Sequence, residues 1–432
     1  MMKAYVVVFM FLLVIQFPII AQKGYGFSHE LDPFRWADNT PADCPFPKDE
    51  SFDGIVFTGR YCNYTNADTW YPSWAEDGNL YSPWTDGYLL NLEEFEPFQD
   101  EHPGYACNSL DWLGRKGATA QAKIVGDDPM NLEIINLPPR IEGHGMPRFR
   151  GRYPSATLLH NGIWYYGTYC VDAGPPCGKV GWTKLGPFVG FRTSADYGQT
   201  WTETTFTAES PLFGEDPDIA PVKLGTPHFV DFGRNMEHSP DGKAYLVGHG
   251  STNPGSCNSW IQGDQVYMCR VVPSTENINN EDAYEYFAGR NDDGTAIWSD
   301  DFEKVKPLLE WEGHLGCVTI TYNAPLGKYL MCISRGIASY KDEDEKGWID
   351  LRHDSMVLAS DEIDGEYKLV QYLDHFGPVA YFLTIPSKFI SDDGKTFWLS
   401  YSANWMDKNM IGNPQGSYYS FSLHEISLDL KE

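Results

Sequence analysis

Residues 158–169 read Leu-Leu-His-Asn-Gly-Ile-Trp-Tyr-Tyr-Gly-Thr-Tyr, which is an apolar strand end, a tight turn at 160–162 and a second strand rich in aromatic residues. Asn and Gly tolerate the positive φ of such a turn, so the stretch predicts a β-hairpin. The same layout recurs four times, with turns at 76–79, 239–243, 324–328 and 391–395. The turn glycines are 84, 80, 85 and 67 residues apart. A repeat of this length, holding four strands and long connections, predicts a blade of a β-propeller.

We therefore predict an all-β fold, a single-domain five-bladed β-propeller over residues 51–432, which would form the catalytic domain. The segment Phe52–Thr58 is expected to add a strand to the last blade and so remove the open edge of the ring. Residues 22–50 are interpreted as an N-terminal extension. Residues 1–21 resemble a signal peptide, with Lys3, a short apolar run and a small residue at Ala21, and predict a secreted or periplasmic protein.

The chain has 60 acidic and 32 basic residues and a formal charge of −28. This charge argues against nucleic acid and against an anionic membrane surface as partners. An anionic substrate would need a local basic pocket to oppose it. The sequence leaves the oligomeric state open.

Nine cysteines are present, so at least one thiol has no partner within the chain. The close pairs Cys170/Cys177 and Cys257/Cys269 are spaced to close short loops if the compartment is oxidising. No spacing matches a zinc motif. No cofactor is required by any motif, while a structural or catalytic metal, zinc on clustered histidines or calcium on the axis, stays open.

The expected active site lies where the innermost strands of a propeller begin and the second strands end, because both positions face one central funnel. Histidine, arginine and tyrosine are concentrated at these positions. The predicted catalytic residues are Arg152, Tyr153, His228, His314, Arg335 and His375. The predicted substrate-binding residues are Trp84, Asp86, His249, Asn404 and Trp405.

This set favours β-elimination on a uronic acid, by a polysaccharide lyase or by a dehydratase that acts on a chain end. Elimination needs a base for the proton α to the carboxylate and cations that stabilise the anionic intermediate. Arg152 and Arg335 would face the carboxylate, and His228, His314 or Tyr153 would transfer protons. The partner is then an anionic polysaccharide or oligosaccharide.

Glycoside hydrolysis is the alternative chemistry, and it needs two carboxyl groups. The acidic candidates are Asp68, Asp86, Asp172, Asp231 and Glu237, of which Asp68 and Asp86 lie close to the expected strand ends. A lectin without catalysis is a third possibility. It is disfavoured because a repeated binding site would show the same polar residues in every blade, whereas here each blade contributes different ones.

The segment 194–201, Ser-Ala-Asp-Tyr-Gly-Gln-Thr-Trp, resembles the Asp-box of sialidases and related propellers at every specified position. In families that carry it the motif is structural, so the resemblance supports the fold and leaves Asp196 out of the site. The blade count resembles that of arabinanase-type and invertase-type hydrolases. The leader, Asp-box, blade layout and funnel together resemble secreted marine bacterial enzymes that degrade ulvan, including ulvan lyases and oligo-ulvan dehydratases. Ulvan lyase propellers have more blades, so no residue role is carried over by motif.

Overall fold

A computed structural model describes residues 27–88, 106–107, 117–143, 149–172, 184–252, 260–340, 348–404 and 412–431. Five small sheets in these ranges form a five-bladed β-propeller, which confirms the predicted fold. The helical segments described are 3₁₀ turns of three residues at Pro129–Asn131, Arg234–Met236, Glu281–Ala283, Phe302–Lys304 and Ser387–Phe389. No helix in the described ranges is long and apolar enough to cross a membrane. The proposed leader lies outside these ranges.

Three strands precede the first blade, namely β1 (Phe27–Glu30), β2 (Phe34–Arg35) and β3 (Phe52–Tyr64). Blade 1 contains β4 (Asn66–Asp68), β5 (Ser73–Trp74), β6 (Leu80–Tyr88), β7 (Ala106–Cys107), β8 (Gly117–Val125) and β9 (Glu133–Gly143). Its order from the axis outward is β4-β6-β8-β9, with β5 and β7 also pairing with β6. Blade 2 contains β10 (Phe149–His160), β11 (Ile163–Asp172) and β12 (Lys184–Ser194) in that order.

Blade 3 contains β13 (His228–Phe229), β14 (Ala244–Gly250), β15 (Gln265–Val271), β16 (Tyr284–Arg290) and β17 (Ala296–Ser299), with β18 (Leu309–Glu310) pairing with β15. Blade 4 contains β19 (Val318–Asn323), β20 (Lys328–Tyr340), β21 (Trp348–Ser360) and β22 (Lys368–Leu373). Blade 5 begins with β23 (Ala380–Thr384), β24 (Thr396–Ala403) and β25 (Phe421–Leu430).

The ring is closed by the first long strand of the chain. β3 pairs antiparallel with β25, from Tyr64 opposite Phe421 to Phe52 opposite Leu430. This pairing makes β3 the next strand of blade 5 and confirms the closure predicted for Phe52–Thr58. Because a single residue, Thr65, separates β3 from β4, the chain passes directly from the outer part of blade 5 to the axis of blade 1. The contact between blades 5 and 1 is called the ring-closing seam below.

Burial along the strands follows their position within a blade. Every residue of β14 is buried, and so is every residue of β23. Neighbouring blades cover both faces of such inner strands, so their sequences are apolar rather than alternating. Each of the five hairpin glycines has the positive φ that its turn requires, for example 76° at Gly162.

The segment 194–201 forms a turn held by one carboxylate. Asp196 accepts hydrogen bonds from the hydroxyls of Ser194, at 2.7 Å, and Thr200, at 2.6 Å. It also accepts the backbone N–H of Thr200. This turn follows the end of β12, on the side of the ring opposite to the funnel, so Asp196 serves the fold.

The cysteine prediction is corrected at one position. Cys269 is a free thiol packed in the main apolar core, and burial raises its pKa above the ordinary range. A disulfide between Cys257 and Cys269 is therefore not formed, because the β15 side chain points into the core. Cys177 and Cys257 themselves lie outside the described residues.

Candidate functional site

The innermost strands begin, and the second strands end, on one face of the ring, which we call the funnel face. In blade 1 the inner strand begins with the short β4 and continues as β5, since both pair in succession with β6. Asp68 of β4 lies opposite Thr85 of β6, next to Asp86. This antiparallel pairing brings two carboxyl groups together near the axis. Asp68 is buried, with 7% of its surface exposed, whereas Asp86 is half-buried.

Hydroxyl groups surround the buried carboxyl group. Thr69 donates to Oδ1 of Asp68 at 2.8 Å, and Tyr381 of blade 5 donates to Oδ2 at 2.8 Å. The hydroxyl of Tyr419 donates to the backbone carbonyl oxygen of Asp86 at 2.6 Å and also interacts with the Asp68 carboxyl group. Burial raises the pKa of Asp68 well above its ordinary value, and the negative charge of Asp86 raises it further, against the hydrogen bonds.

The backbone is strained at both sides of this pair. Thr69 has φ of 66° and Asp86 has φ of 52°. The left-handed region is unfavourable for non-glycine residues and especially for a β-branched one such as Thr. Strained residues persist only where the surrounding structure holds them, and they concentrate at functional sites. The pair is thus held by contacts between blades.

Tyrosines line the funnel around the pair. The rings of Tyr153 and Tyr169 lie 5.3 Å apart, and the charges of Asp68 and Asp86 act on Tyr169. Burial raises the pKa of Tyr169 and Tyr71 well above the ordinary value, so these phenols stay protonated. Of these three rings, only that of the half-buried Tyr153 keeps part of a flat apolar face accessible to a sugar, because Tyr169 and Tyr71 are buried.

The four predicted histidines differ in burial and in their partners. His228 is buried, its ring lies 4.0 Å from that of Tyr71, and burial followed by the nearby His249 lowers its pKa to about 3. His249 is buried too, and its Nδ1 is hydrogen-bonded to the Thr226 hydroxyl at 3.0 Å. Both belong to blade 3.

The other two histidines border blade 4. His314 stacks on Trp311 at 4.0 Å and donates from Nδ1 to the Glu312 carbonyl oxygen at 2.7 Å. His375 is exposed, and its backbone N–H donates to Asp354 at 2.9 Å. His228 and His249 thus interact with each other, whereas the contacts described for His314 and His375 are with other groups, and the convergence of all four imidazoles stays a prediction.

The two predicted arginines have partners within the fold. Arg152 is half-buried, and its Nη1 donates to the Thr168 hydroxyl at 3.3 Å. Arg335 donates from Nη1 to Asp354 at 3.3 Å. Since Asp354 compensates its charge, Arg335 does not supply the uncompensated positive pocket that the elimination hypothesis requires.

Asp354 has a cationic environment. It accepts Nε of Arg352 at 3.1 Å and the Tyr372 hydroxyl at 2.8 Å, besides Arg335 and the His375 amide. Burial raises the pKa of Asp354, but the His375 amide, Arg352 and Tyr372 outweigh burial and hold the pKa below its ordinary value. Sequence reasoning did not identify Asp354.

Two of the predicted substrate-binding residues are structural. Trp84 has no exposed surface and stacks on Trp70 with ring centroids 6.4 Å apart, so it offers no platform for a sugar. Its position on β6 turns it towards the core between blades. Asn404 is also fully buried and donates from Nδ2 to the Ser417 carbonyl oxygen at 2.8 Å. Trp405 lies outside the described residues.

The remaining acidic candidates do not join the pair. Asp231 is half-buried near the opposite face, where it accepts the backbone N–H and hydroxyl of Ser387. Glu237 is exposed beside His238. Asp172 ends β11, but its side chain is outside the described part of the chain.

Sequence reasoning missed the blade 5 contribution, Tyr381 and Tyr419. The inner strand of blade 5 was placed at His375, but it begins at Ala380, so Tyr381 occupies the strand start. The same shift applies in blade 4, where β19 begins at Val318 rather than at His314.

No group of three His, Cys, Asp or Glu side chains in the described ranges is arranged to hold a metal ion. These residues therefore provide no set of ligands for the zinc or calcium ion whose presence the sequence left open. The acid pair can perform proton transfer without such a group, provided that one carboxyl carries a proton and the other does not.

No family model and no curated protein sequence matches the chain. Solved structures with a similar chain path include a putative hydrolase from Bacteroides ovatus, at 12% identity and a TM-score of 0.44, covering 91% of this chain and 96% of that one. The RS223 β-xylosidase matches at 11% identity and 0.43, covering 85% and 95%. A family 117 glycoside hydrolase of the marine bacterium Zobellia galactanivorans matches at 9% and 0.37, covering 94% and 90%. Likeness at this level carries no argument about activity.

Proposed function

We propose that the chain is a glycoside hydrolase whose acid and base are Asp68 and Asp86. The observation that supports this most strongly is the pairing of β4 with β6, which puts a buried and a half-buried carboxyl group side by side at the mouth of the funnel. Two carboxyl groups in unlike environments are what glycosidic bond cleavage needs.

Asp68 is assigned as the general acid. Burial and the neighbouring charge both favour its protonated form, so it can transfer a proton to the glycosidic oxygen as the C–O bond breaks. Asp86 is assigned as the ionised partner, which takes the proton of the attacking water or attacks the anomeric carbon itself. Its negative charge also stabilises the oxocarbenium-like transition state.

Tyr153, whose ring lies 5.3 Å from that of Tyr169, would bind the sugar. Tyr153 is half-buried and so keeps part of its ring accessible, while Tyr169 behind it is fully packed. A pyranose or furanose ring stacks on such a face through its C–H groups, and its hydroxyls bond to phenols. The substrate class proposed is therefore an oligosaccharide or polysaccharide.

Hydrolysis replaces elimination as the preferred chemistry because the described groups are arranged for it. Elimination on a uronate, as in ulvan degradation, would use Arg335 and His314, but Arg335 is paired with Asp354 and Asp43 accepts Trp311 Nε1 nearby at 3.3 Å. The carboxylates of Asp354 and Asp43 beside these groups would repel the carboxylate of a uronate substrate.

The test is a screen of 4-nitrophenyl glycosides and of neutral and uronate-containing polysaccharides. Hydrolysis gives new reducing ends without the ultraviolet absorbance of an unsaturated uronate, whereas a lyase gives both and a chain-end dehydratase gives the absorbance alone. Asp68→Asn and Asp86→Asn should each lower kcat/KM by roughly 10²- to 10⁴-fold. Glu237→Gln, an exposed acid far from the funnel, is the matched control and should retain full activity. Undiminished activity in Asp68→Asn would contradict the proposal.

We also propose export of the protein, since a polysaccharide substrate lies outside the cell. The mature N-terminus after expression in a secreting host should begin close to residue 22. An intact Met1 on the exported or cell-associated protein would contradict cleavage of the leader.

A further inference from the structure

Two phenol groups that contact the acid pair come from the other side of the ring-closing seam. Tyr381 is the second residue of β23, and Tyr419 precedes β25, so both belong to blade 5. Asp68 and Asp86 belong to blade 1. Across the same seam the ring of Trp70 packs on that of Phe421 at 5.2 Å.

We propose that Tyr381 and Tyr419 are positioning residues for the reaction, which hold the Asp68 carboxyl and the Asp86 backbone in place from blade 5. This inference rests on the proposed function of the acid pair. It adds that two tyrosine hydroxyls, which do not themselves react, determine how readily Asp68 releases its proton.

Both hydroxyls are fixed in direction. Tyr381 is 1% exposed, with its ring 5.4 Å from that of Trp260 and 4.8 Å from that of Phe382. The segment that carries Tyr419 is anchored through Ser417, whose hydroxyl lies 2.6 Å from the Tyr401 hydroxyl. A donor that is held in this way loses little entropy when it bonds, and it cannot follow Asp68 if the carboxyl rotates.

The hydroxyls favour the form of Asp68 that appears during the reaction. When Asp68 gives its proton to the leaving oxygen it becomes a buried carboxylate, and hydrogen bonds to a charged acceptor are stronger than to a neutral one. The groups that face it are hydroxyl donors, two further phenols and one acid, namely Thr69, Tyr381, Tyr419, Tyr71, Tyr169 and Asp86. Removing one hydroxyl should therefore raise the pKa of Asp68 and slow its proton transfer.

The experiment compares Tyr381→Phe with Tyr372→Phe. Tyr372 donates to the buried Asp354 at the same distance, 2.8 Å, as Tyr381 does to Asp68. Tyr372→Phe thus removes an equivalent bond outside the acid pair. In Tyr381→Phe we expect the alkaline limb of the kcat/KM profile on the best 4-nitrophenyl glycoside to move up by about one pH unit, with kcat reduced about tenfold. In Tyr372→Phe the profile should stay in place.

A second measurement needs no substrate. In protein labelled with ¹³C at the aspartate carboxyls, the Asp68 resonance, assigned by its loss in Asp68→Asn, should titrate at higher pH in Tyr381→Phe. Tyr419→Phe should shift it in the same direction, and this variant keeps the test available if Tyr381→Phe does not fold.

Two results would overturn the inference and one would overturn its basis. An unchanged pH profile in Tyr381→Phe, or a lower melting temperature with no shift, means that the tyrosine only packs. An equal shift in Tyr372→Phe means that the effect is not specific to the pair. Full activity in Asp68→Asn, by contrast, refutes the proposed function itself.

Discussion

Two buried aspartates on the funnel face differ mainly in their neighbours. Asp68 in blade 1 and Asp354 in blade 4 are 7% and 1% exposed, and each accepts a tyrosine hydroxyl at 2.8 Å. Asp354 also has Arg352 and Arg335, whereas Asp68 has hydroxyls and a second carboxyl group. The pKa of Asp354 is lowered and that of Asp68 is raised.

Burial alone therefore does not decide what a carboxyl group does. Both groups pay the desolvation cost, but at Asp354 cations and an amide compensate it and leave a charge-balanced structural centre. At Asp68 the hydroxyls compensate it only in part, and the group remains available for proton transfer. The comparison separates an acid that holds the fold from one that we propose to react.

The largest expected effect is on activity. Asp68→Asn should lower kcat/KM about 10³-fold with little change in melting temperature, because the amide fills the same space and removes the repulsion by Asp86. Steady-state kinetics and calorimetry on the same preparations check this. A large loss of stability in this variant would make Asp68 a structural residue like Asp354.

The reverse result is expected at Asp354. Asp354→Asn removes the carboxylate that Arg335, 11% exposed, shares with Arg352, and leaves Arg352 with Asp374 alone. The variant should lower the free energy of unfolding by about 2 kcal/mol. Urea unfolding measures it. If this variant unfolds like the wild type, the ion pairs of Asp354 contribute nothing to the stability of the fold. Asp354 could then not be contrasted with Asp68 as a structural carboxylate.

The two sites should respond to pH with opposite sign. Because the folded-state pKa of Asp68 is raised, its stabilising contribution is present below the unfolded-state pKa and is lost as pH rises through the folded value. Because that of Asp354 is lowered, its contribution is present above the unfolded-state pKa and is lost as pH falls.

Unfolding free energies measured across pH should reveal this difference. Asp68→Asn should gain stability relative to wild type as pH rises, and Asp354→Asn should approach wild type as pH falls. Parallel curves for the two variants would contradict the assignment of opposite shifts.

The smallest effect is expected at Arg335. Arg335→Gln removes the longer of the two arginine contacts with Asp354, at 3.3 Å against 3.1 Å, and should cost about 1 kcal/mol of stability. Activity on neutral glycosides should change less than threefold. Loss of nearly all activity, confined to uronate substrates, would instead restore the elimination hypothesis.

The fold was readable from the sequence because its determinants are local. A turn such as Asn161-Gly162 encodes a hairpin within a few residues, and repetition of that turn gives the blade count. Ring closure by Phe52–Thr58 followed because an unpaired strand edge must be covered.

The site was readable only in part because its contacts are not local. Asp68 and Asp86 were found as acids at strand ends, yet the donor to Asp68 lies 313 residues away at Tyr381. The rule that site residues lie at strand ends also selected Trp84, but the pairing of β6 turns this side chain into the core. Strand ends therefore identify a face of the ring, and only the packing of the blades decides which side chains meet.

Ring closure also sets an order in time. β3 is synthesised long before its partner β25, since Phe52 of β3 pairs with Leu430 of β25. Until β25 has left the ribosome, blade 5 cannot bring Tyr381 and Tyr419 to blade 1, so a nascent chain would carry Asp68 without its donors. Catalytic competence would then arrive in a single late step, and a chain truncated before β25 would be inert even with all four preceding blades translated.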